Sequence, residues 1–95
     1  MKSNLHDLVI HHGKLISSIG IQESDLAVDG GKISAIGTGF SGRRDIDAAG
    51  KYVIPGGIDP HVHLEMPVGG TRSSDDWFTG TRAAAFGGTT TVIDF

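Results

Sequence analysis

Cysteine is absent from the 95 residues, which excludes disulfide bonds and thiolate metal ligands. Any metal site in this chain must therefore be built from histidine and carboxylate side chains. The absence of cysteine is also compatible with a reducing compartment, and we expect a cytoplasmic protein.

Positive charge is scarce as well, because 8 Lys and Arg face 11 Asp and Glu, for a formal net charge of −3. The basic residues are scattered, so no cationic surface for nucleic acid is predicted. Long apolar runs are also lacking. No stretch approaches the roughly 20 residues that cross a bilayer, and the polar first residues do not resemble a secretory leader. We expect a soluble protein without a cleaved signal and without nucleic-acid or membrane partners.

Glycine, by contrast, is abundant, with 15 residues that fall at the ends of short apolar runs. Across residues 7–54 this pattern predicts short strands. A hairpin is expected where Asp29-Gly30-Gly31 turns the chain between residues 25–28 and 32–36. The alternation in residues 32–36 predicts one buried and one solvated face. Residues 1–55 are thus predicted to form a small antiparallel β module.

After Pro55-Gly56-Gly57 the pattern changes to strand, loop, helix and strand. Residues 58–64 predict a strand, residues 65–72 an irregular loop, and residues 89–95 a second strand. The strand–helix–strand order is that of a βαβ unit, whose two strands are expected to be parallel.

The helix between these strands has recognisable end signals. Ser73 or Ser74 is the predicted N-cap, with acidic residues in the first turn, and Gly87-Gly88 is the predicted stop. Trp77 and Phe78 are expected to lie in the core. One βαβ unit leaves its strands uncovered, so we expect the 95 residues to be the front of a longer polypeptide or to depend on a partner chain that completes the sheet, and not to be stably monomeric alone.

His61-Val62-His63 is the strongest chemical signal in the sequence. Residues two apart on a strand point to the same face, so both imidazoles are expected to project together as ligands for Zn²⁺ or a similar cation. A bare His-x-His pair also occurs by chance in proteins that bind no metal. Here it follows Pro-Gly-Gly, and Asp59 lies two residues before it, where it is expected to support a ligand histidine.

Other polar residues carry weaker signals. His11 and His12 are adjacent, so they are expected to face opposite sides of a strand, at the surface and with no carboxylate nearby. Glu65 is expected to be solvated. Asp94 ends the second strand of the βαβ unit, where it would either point into the same mouth as the histidines or act as a turn residue.

The residues around these histidines resemble a known family. The run Gly50-Lys51-Tyr52-Val53-Ile54-Pro55-Gly56-Gly57-Ile58-Asp59-Pro60-His61-Val62-His63 resembles the start of the amidohydrolase superfamily. Residues 65–71 and 74–91 resemble its dihydropyrimidinase and hydantoinase branch.

This resemblance implies an α/β fold. Residues 1–55 would be the N-terminal strands of a small β-sandwich domain. Residues 56–95 would start a (β/α)₈ TIM-like barrel with its first βαβ unit, the remainder of the barrel being absent from this chain. A full barrel takes about 250 residues. The resemblance also implies a homotetramer.

The same resemblance implies a site with two divalent metal ions, taken to be zinc, bridged by a carboxylated lysine. His61 and His63 would bind one of them. The lysine, two further histidines and a catalytic aspartate would all lie outside this chain. The 95-residue segment alone is therefore expected to be inactive.

The implied activity is metal-dependent hydrolysis of a cyclic amide, in which a dihydropyrimidine or hydantoin ring opens to an N-carbamoyl amino acid. Met66 and Val68 are expected to contact the ring substituent. Dihydroorotase and allantoinase are alternatives, but they usually carry arginine where this chain has Glu65, and a carboxylate there disfavours an anionic substrate. A non-enzymatic dihydropyrimidinase-related assembly protein is a further alternative, disfavoured because both histidines are retained.

Overall fold

The computed structural model describes residues 5–95, which form two compact units divided between Pro55 and Gly56. The described residues are mostly strands, with one helix. No helix among them is long and apolar enough to cross a bilayer. The assignment of the two units to a β-sandwich domain and a barrel stays a prediction.

The first unit is a five-stranded sheet. Its strands are β1 (Leu5–Ser17), β2 (Gly20–Asp29), β3 (Lys32–Gly37), β4 (Ser41–Asp47) and β5 (Tyr52–Val53). The main path runs in the order β3-β2-β1-β4, and β5 also pairs with β1. The pairs β1–β2 and β2–β3 are antiparallel, whereas β4 and β5 run parallel to β1. The expectation of a purely antiparallel module was therefore wrong, because local turn signals do not reveal the direction of strands that return from a distance.

The hairpin between β2 and β3 agrees with the sequence prediction. Asp29 pairs with Lys32, which leaves Gly30 and Gly31 as a two-residue loop. Their φ angles are 57° and 76°, the values that a tight hairpin turn requires and that glycine adopts without steric cost.

The core of this unit comprises five buried hydrophobic side chains from β1, β2 and the segment after β4: Val9, Leu15, Leu26, Ala27 and Ala48. The predicted buried face of residues 32–36 is not found, since Ile33 is 62% exposed and Ala35, on the same face, is only half-buried. β3 lies at the end of the main path of the sheet, and no other described element of this unit pairs on its outer side.

The second unit contains β6 (Gly57–Val62), β7 (Pro67–Val68), β8 (Thr71–Arg72), α1 (Trp77–Phe86) and β9 (Thr89–Asp94). β6 and β9 pair in parallel, with α1 in the connection between them. β7 and β8 form a small antiparallel hairpin where an irregular loop was expected. Gly69 and Gly70, both at positive φ, make its turn instead of preventing regular structure.

Helix α1 begins later than the sequence suggested. Its N-cap is Asp76, whose side chain accepts from the Thr79 N–H while the Thr79 hydroxyl accepts from the Asp76 N–H. This reciprocal capping box outcompetes the serines, because Ser73 is bonded to the main chain of Met66. Trp77 and Phe78 were expected in the core, but they are 45% and 69% exposed.

Candidate functional site

The two histidines of the His-x-His motif lie at the carboxyl end of β6. His61 is the penultimate residue of the strand, and His63 follows its last residue, Val62. The two Nε2 atoms are 3.2 Å apart, and the ring centroids are 4.8 Å apart with the ring planes at 81°. Both side chains are exposed. The structure thus brings the two imidazoles together.

Asp94, the last residue of β9, and Phe95, which follows it, are hydrogen-bonded to the residues around His63. Phe95 donates its N–H to the Val62 oxygen at 3.1 Å, and Asp94 Oδ1 accepts from the Leu64 N–H at 2.8 Å. The Phe95 main-chain oxygen lies 3.2 Å from His63 Nδ1. Because a main-chain oxygen only accepts, Nδ1 carries the proton in this contact, and in the neutral ring His63 Nε2 then keeps its lone pair.

This arrangement fits a divalent cation. Zinc binds imidazole nitrogen at about 2.0–2.1 Å, so two ligands at a tetrahedral angle would have nitrogens about 3.3 Å apart. The observed separation of 3.2 Å is close to that value. Without a cation, an Nε2–H of His61 donating to His63 Nε2 accounts for the same contact.

Two nitrogens do not complete a metal site. Across residues 5–95, no group of three or more His, Cys, Asp or Glu side chains is placed to hold a metal. Asp59, expected to support a ligand ring, accepts instead from the His61 main-chain N–H at 3.2 Å. Glu65, expected in solvent, accepts from the Trp77 N–H at the start of α1. The described residues therefore contain only part of a ligand set.

Met66 and Val68 lie just after the histidines. Met66 is half-buried, and both its N–H and its carbonyl are bonded to Ser73. Val68 is 53% exposed on β7, next to the turn at Gly69-Gly70. The structure shows two apolar side chains on a hairpin whose backbone is held. Their contact with a substrate stays a prediction.

The sequence did not reveal a set of histidine–aspartate contacts along β1. His11 lies between two carboxylates, with Nδ1 3.1 Å from Asp25 and Nε2 2.8 Å from Asp45. His12 Nδ1 is 3.1 Å from Asp47. The expectation that no carboxylate lies near this pair was wrong. Both aspartates that contact the His11 ring come from other strands, β2 and β4, which only the folded sheet brings to β1.

A β-bulge places these two histidines. The β1–β2 register shifts between Ile10 and Gly13, and His12 adopts a φ of 64°, which is uncommon outside glycine. Asp25 accepts from the His12 N–H at 2.9 Å, which stabilises the unusual backbone. Side chains of adjacent residues in a bulge do not alternate regularly between the two faces of the sheet. The expectation that His11 and His12 face opposite sides, which assumes a straight strand, therefore does not apply here.

Electrostatics follows from these contacts. Hydrogen bonds from the His11 ring to Asp45 and then to Asp25 raise the pKa of His11. The Ser34 hydroxyl, followed by the His6 ring 2.6 Å away, lowers the pKa of Asp29 to about 2. The His12 ring lowers the pKa of Asp47. These histidine–aspartate contacts join β1 to β2 and β4.

Comparison with known proteins places this geometry in a family context. No protein-family model matches the chain. D-hydantoinase of Geobacillus stearothermophilus is 55% identical over 89 residues, which cover 92% of this chain and 19% of that protein. The solved structure of D-hydantoinase from Bacillus sp. AR9 superimposes with a TM-score of 0.86 at 51% identity, covering 93% of this chain and 20% of that one.

A third relative carries the other family name. Dihydropyrimidinase from Brevibacillus agri superimposes with a TM-score of 0.83 at 49% identity, covering 92% of this chain and 19% of that structure. The resemblance inferred from the sequence is thus confirmed. The chain spans about one fifth of the length of the proteins that it matches. Over nearly all of its own length, it is homologous to a segment of the hydantoinase and dihydropyrimidinase family.

Proposed function

We propose that this chain supplies two metal-binding histidines, His61 and His63, to a hydantoinase-type hydrolase of cyclic amides. The observation that carries the proposal is the 3.2 Å approach of the two Nε2 atoms in a chain homologous to D-hydantoinases. The remaining ligands, including a carboxylated lysine that bridges two cations, would come from residues outside this segment.

The proposal also assigns each of the two units to a domain of the complete enzyme. β6, α1 and β9 would be the first βαβ unit of a (β/α)₈ barrel, and residues 1–55 would belong to a small β-sandwich. In such barrels the site lies at the carboxyl ends of the strands, and His61 lies at the carboxyl end of β6. Zinc as the cation, a homotetramer and a cytoplasmic location are parts of the proposal that rest on the family resemblance.

The residues of this chain would bind and orient rather than transfer protons. When bound, paired cations would make hydroxide available near neutral pH and polarise the amide carbonyl, so that a hydantoin or dihydropyrimidine ring opens to an N-carbamoyl amino acid. His63 is suited to a ligand role because its Nδ1 proton is directed to the Phe95 oxygen and its Nε2 faces His61. Met66 and Val68 would form an apolar wall against the ring substituent.

A segment exchange tests the proposal. This chain replaces the matching fifth of Geobacillus stearothermophilus D-hydantoinase, and the hybrid is assayed for bound metal and for hydantoin hydrolysis. We expect the hybrid to hold metal and hydrolyse hydantoin. The double variant His61→Ala/His63→Ala is expected to lose both. His12→Ala, which removes an exposed histidine that contacts Asp47, is the matched control and is expected to retain both.

The outcomes separate the alternatives. Equal metal content in the hybrid and in the double variant would overturn the ligand assignment. Faster hydrolysis of dihydroorotate or allantoin than of hydantoin would favour the dihydroorotase or allantoinase alternative. A folded hybrid that holds no metal and hydrolyses none of these would favour the assembly-protein alternative.

A further inference from the structure

We propose that Asp94 is a positioning residue for the histidine pair. Its carboxylate, through the Leu64 N–H, holds the chain on the far side of His63, so that the His63 ring is presented beside His61. The metal-binding consequence rests on the proposed function above. The positional effect on His63 does not, and it is measured separately.

The pairing of β6 with β9 ends before Leu64. The Leu64 N–H is therefore bonded to the Asp94 side chain and not to the main chain of β9. β6 ends at Val62, which is the register partner of Asp94, the last residue of β9. Leu64 lies two residues beyond this last pair. Its N–H is bonded to a side chain, Asp94 Oδ1, at 2.8 Å. An ionised acceptor makes a shorter and stronger bond than a neutral one, so the carboxylate is well suited to hold a segment outside the strand.

His63 is therefore held from both sides. On one side the Val62 oxygen accepts from the Phe95 N–H at 3.1 Å, and on the other Leu64 is bonded to Asp94. With its backbone held at both flanks, the His63 ring keeps Nδ1 at 3.2 Å from the Phe95 oxygen. This contact selects the tautomer that is protonated on Nδ1, which is the one able to offer Nε2 as a ligand.

Phe95, the residue after β9, also contacts the neighbouring ring. The Phe95 and His61 ring centroids are 5.0 Å apart, with the planes at 69°. Asp94 and Phe95 together thus contact both histidines and the two residues that flank His63. If Asp94 no longer held Leu64, the segment after Val62 would lose a long-range bond, and the His63 ring would be free to leave the Phe95 oxygen.

Asp94 differs in this respect from Asp59 on β6. Asp59 accepts from an N–H only two residues away, a local contact that any short polar residue in an extended segment can make. The bond of Asp94 spans 30 residues and joins the two strands. A local turn or cap role, the alternative reading of a strand-ending aspartate, does not describe it.

Two readouts test the proposal. Both are measured in the hybrid enzyme, the His63 tautomer by ¹⁵N NMR of the metal-free form and zinc affinity with Zn²⁺ alone. Asp94→Ala is expected to turn a single Nδ1-protonated form into a tautomer mixture. It is also expected to lower zinc affinity by at most about 10- to 100-fold, the usual effect of losing a group that hydrogen-bonds a ligand side chain directly, because Asp94 acts on His63 through the main chain. Asp47→Ala, which removes an aspartate of the first unit, is expected to change neither.

Asp94→Asn supplies the test if the alanine variant does not fold. Its amide oxygen still accepts from Leu64, so the tautomer is expected to persist, with zinc affinity between those of the parent and Asp94→Ala. A folded asparagine variant with a mixed tautomer would overturn the proposal. An alanine variant with the parental tautomer would overturn it too, whatever its zinc affinity. If His61→Ala/His63→Ala keeps its zinc, the proposed function fails, and the tautomer of the Asp94 variants still decides the positional role.

Discussion

The two units of the chain differ in what holds them together. Among residues 5–95, all five buried hydrophobic side chains lie in the first unit. No residue of Gly56–Phe95 is buried, and Phe78, Phe86 and Phe95 in that unit are between 69% and 84% exposed. The second unit is ordered instead by hydrogen bonds between β6 and β9 and by the helix cap. The pair His61 and His63 therefore lies in the unit that has no buried residue.

Truncating one large apolar side chain in each unit is expected to expose this difference most strongly. Leu26→Ala removes a buried side chain of β2 and should lower the free energy of unfolding by about 2–5 kcal/mol. Phe86→Ala removes a side chain that is 84% exposed and should change it by less than about 0.5 kcal/mol. Denaturant unfolding of both variants measures the two values. Comparable losses would show that the second unit has a core of its own.

Substrate preference is the next effect in size, and it tests whether the exposed apolar side chains of the second unit have a functional role. Met66→Ala or Val68→Ala in the hybrid enzyme is expected to shift the preference between unsubstituted dihydrouracil and a bulky aryl hydantoin. Losing one or two methylenes from an apolar pocket changes relative kcat/KM by about 10- to 200-fold at most. Metal content should stay unchanged.

The control for this prediction lies on the same chain. Ile19→Ala shortens a side chain that is 92% exposed in the first unit, and it should leave the ratio of the two rates unchanged. If both rates fall by one common factor in the Met66 and Val68 variants, the hairpin is structural, and the substrate assignment is wrong.

The smallest expected effect is the pH dependence of the first unit. Asp45 and Asp25 raise the pKa of His11 above 6.5, so the stability from this pairing is complete below pH 6.5 and is lost as the pH rises through the raised pKa. Ser34 and His6 lower the pKa of Asp29 from 3.8 to about 2, so that contribution is complete above pH 3.8 and is lost as the pH falls toward 2. Stability of the first unit should therefore be greatest between about pH 4 and 6.5.

Melting temperatures across this range measure the effect. His11→Gln should flatten the alkaline side of the profile, and Asp29→Asn should flatten the acidic side. Each change is expected to be modest, because exposed ion pairs contribute little to stability and are screened by salt. His61→Gln, whose ring has its contacts with His63 and Phe95, serves as the control. An alkaline limb that persists in His11→Gln would contradict the assignment.

Local sequence signals predicted elements well when the structure depended on residues close together in the chain. The hairpin at Gly30-Gly31 follows from two residues that accept positive φ. The strand–helix–strand order after Pro55 follows from the change in apolar pattern. The helix start was misplaced by a few residues because Ser73, Ser74 and Asp76 are all suitable caps. The choice depended on Ser73 being bonded to Met66.

The sequence by itself determined the hairpin turn at Gly30-Gly31, the type of most elements, the His61 and His63 motif and the family resemblance, because each rests on a short run of residues. Tertiary structure alone decided the parallel pairing of β4 and β5 with β1, the carboxylates around His11 and the bond from Asp94 to Leu64. The parallel strand pairings, the His11–Asp45 contact and the Asp94–Leu64 bond join residues 30 or more positions apart, and His11 and Asp25 are 14 apart and on different strands. No local preference specifies which distant strand pairs with which. The exposure of Trp77 and Phe78 was decided at the same level, since burial depends on what packs against a side chain and not on its own hydrophobicity.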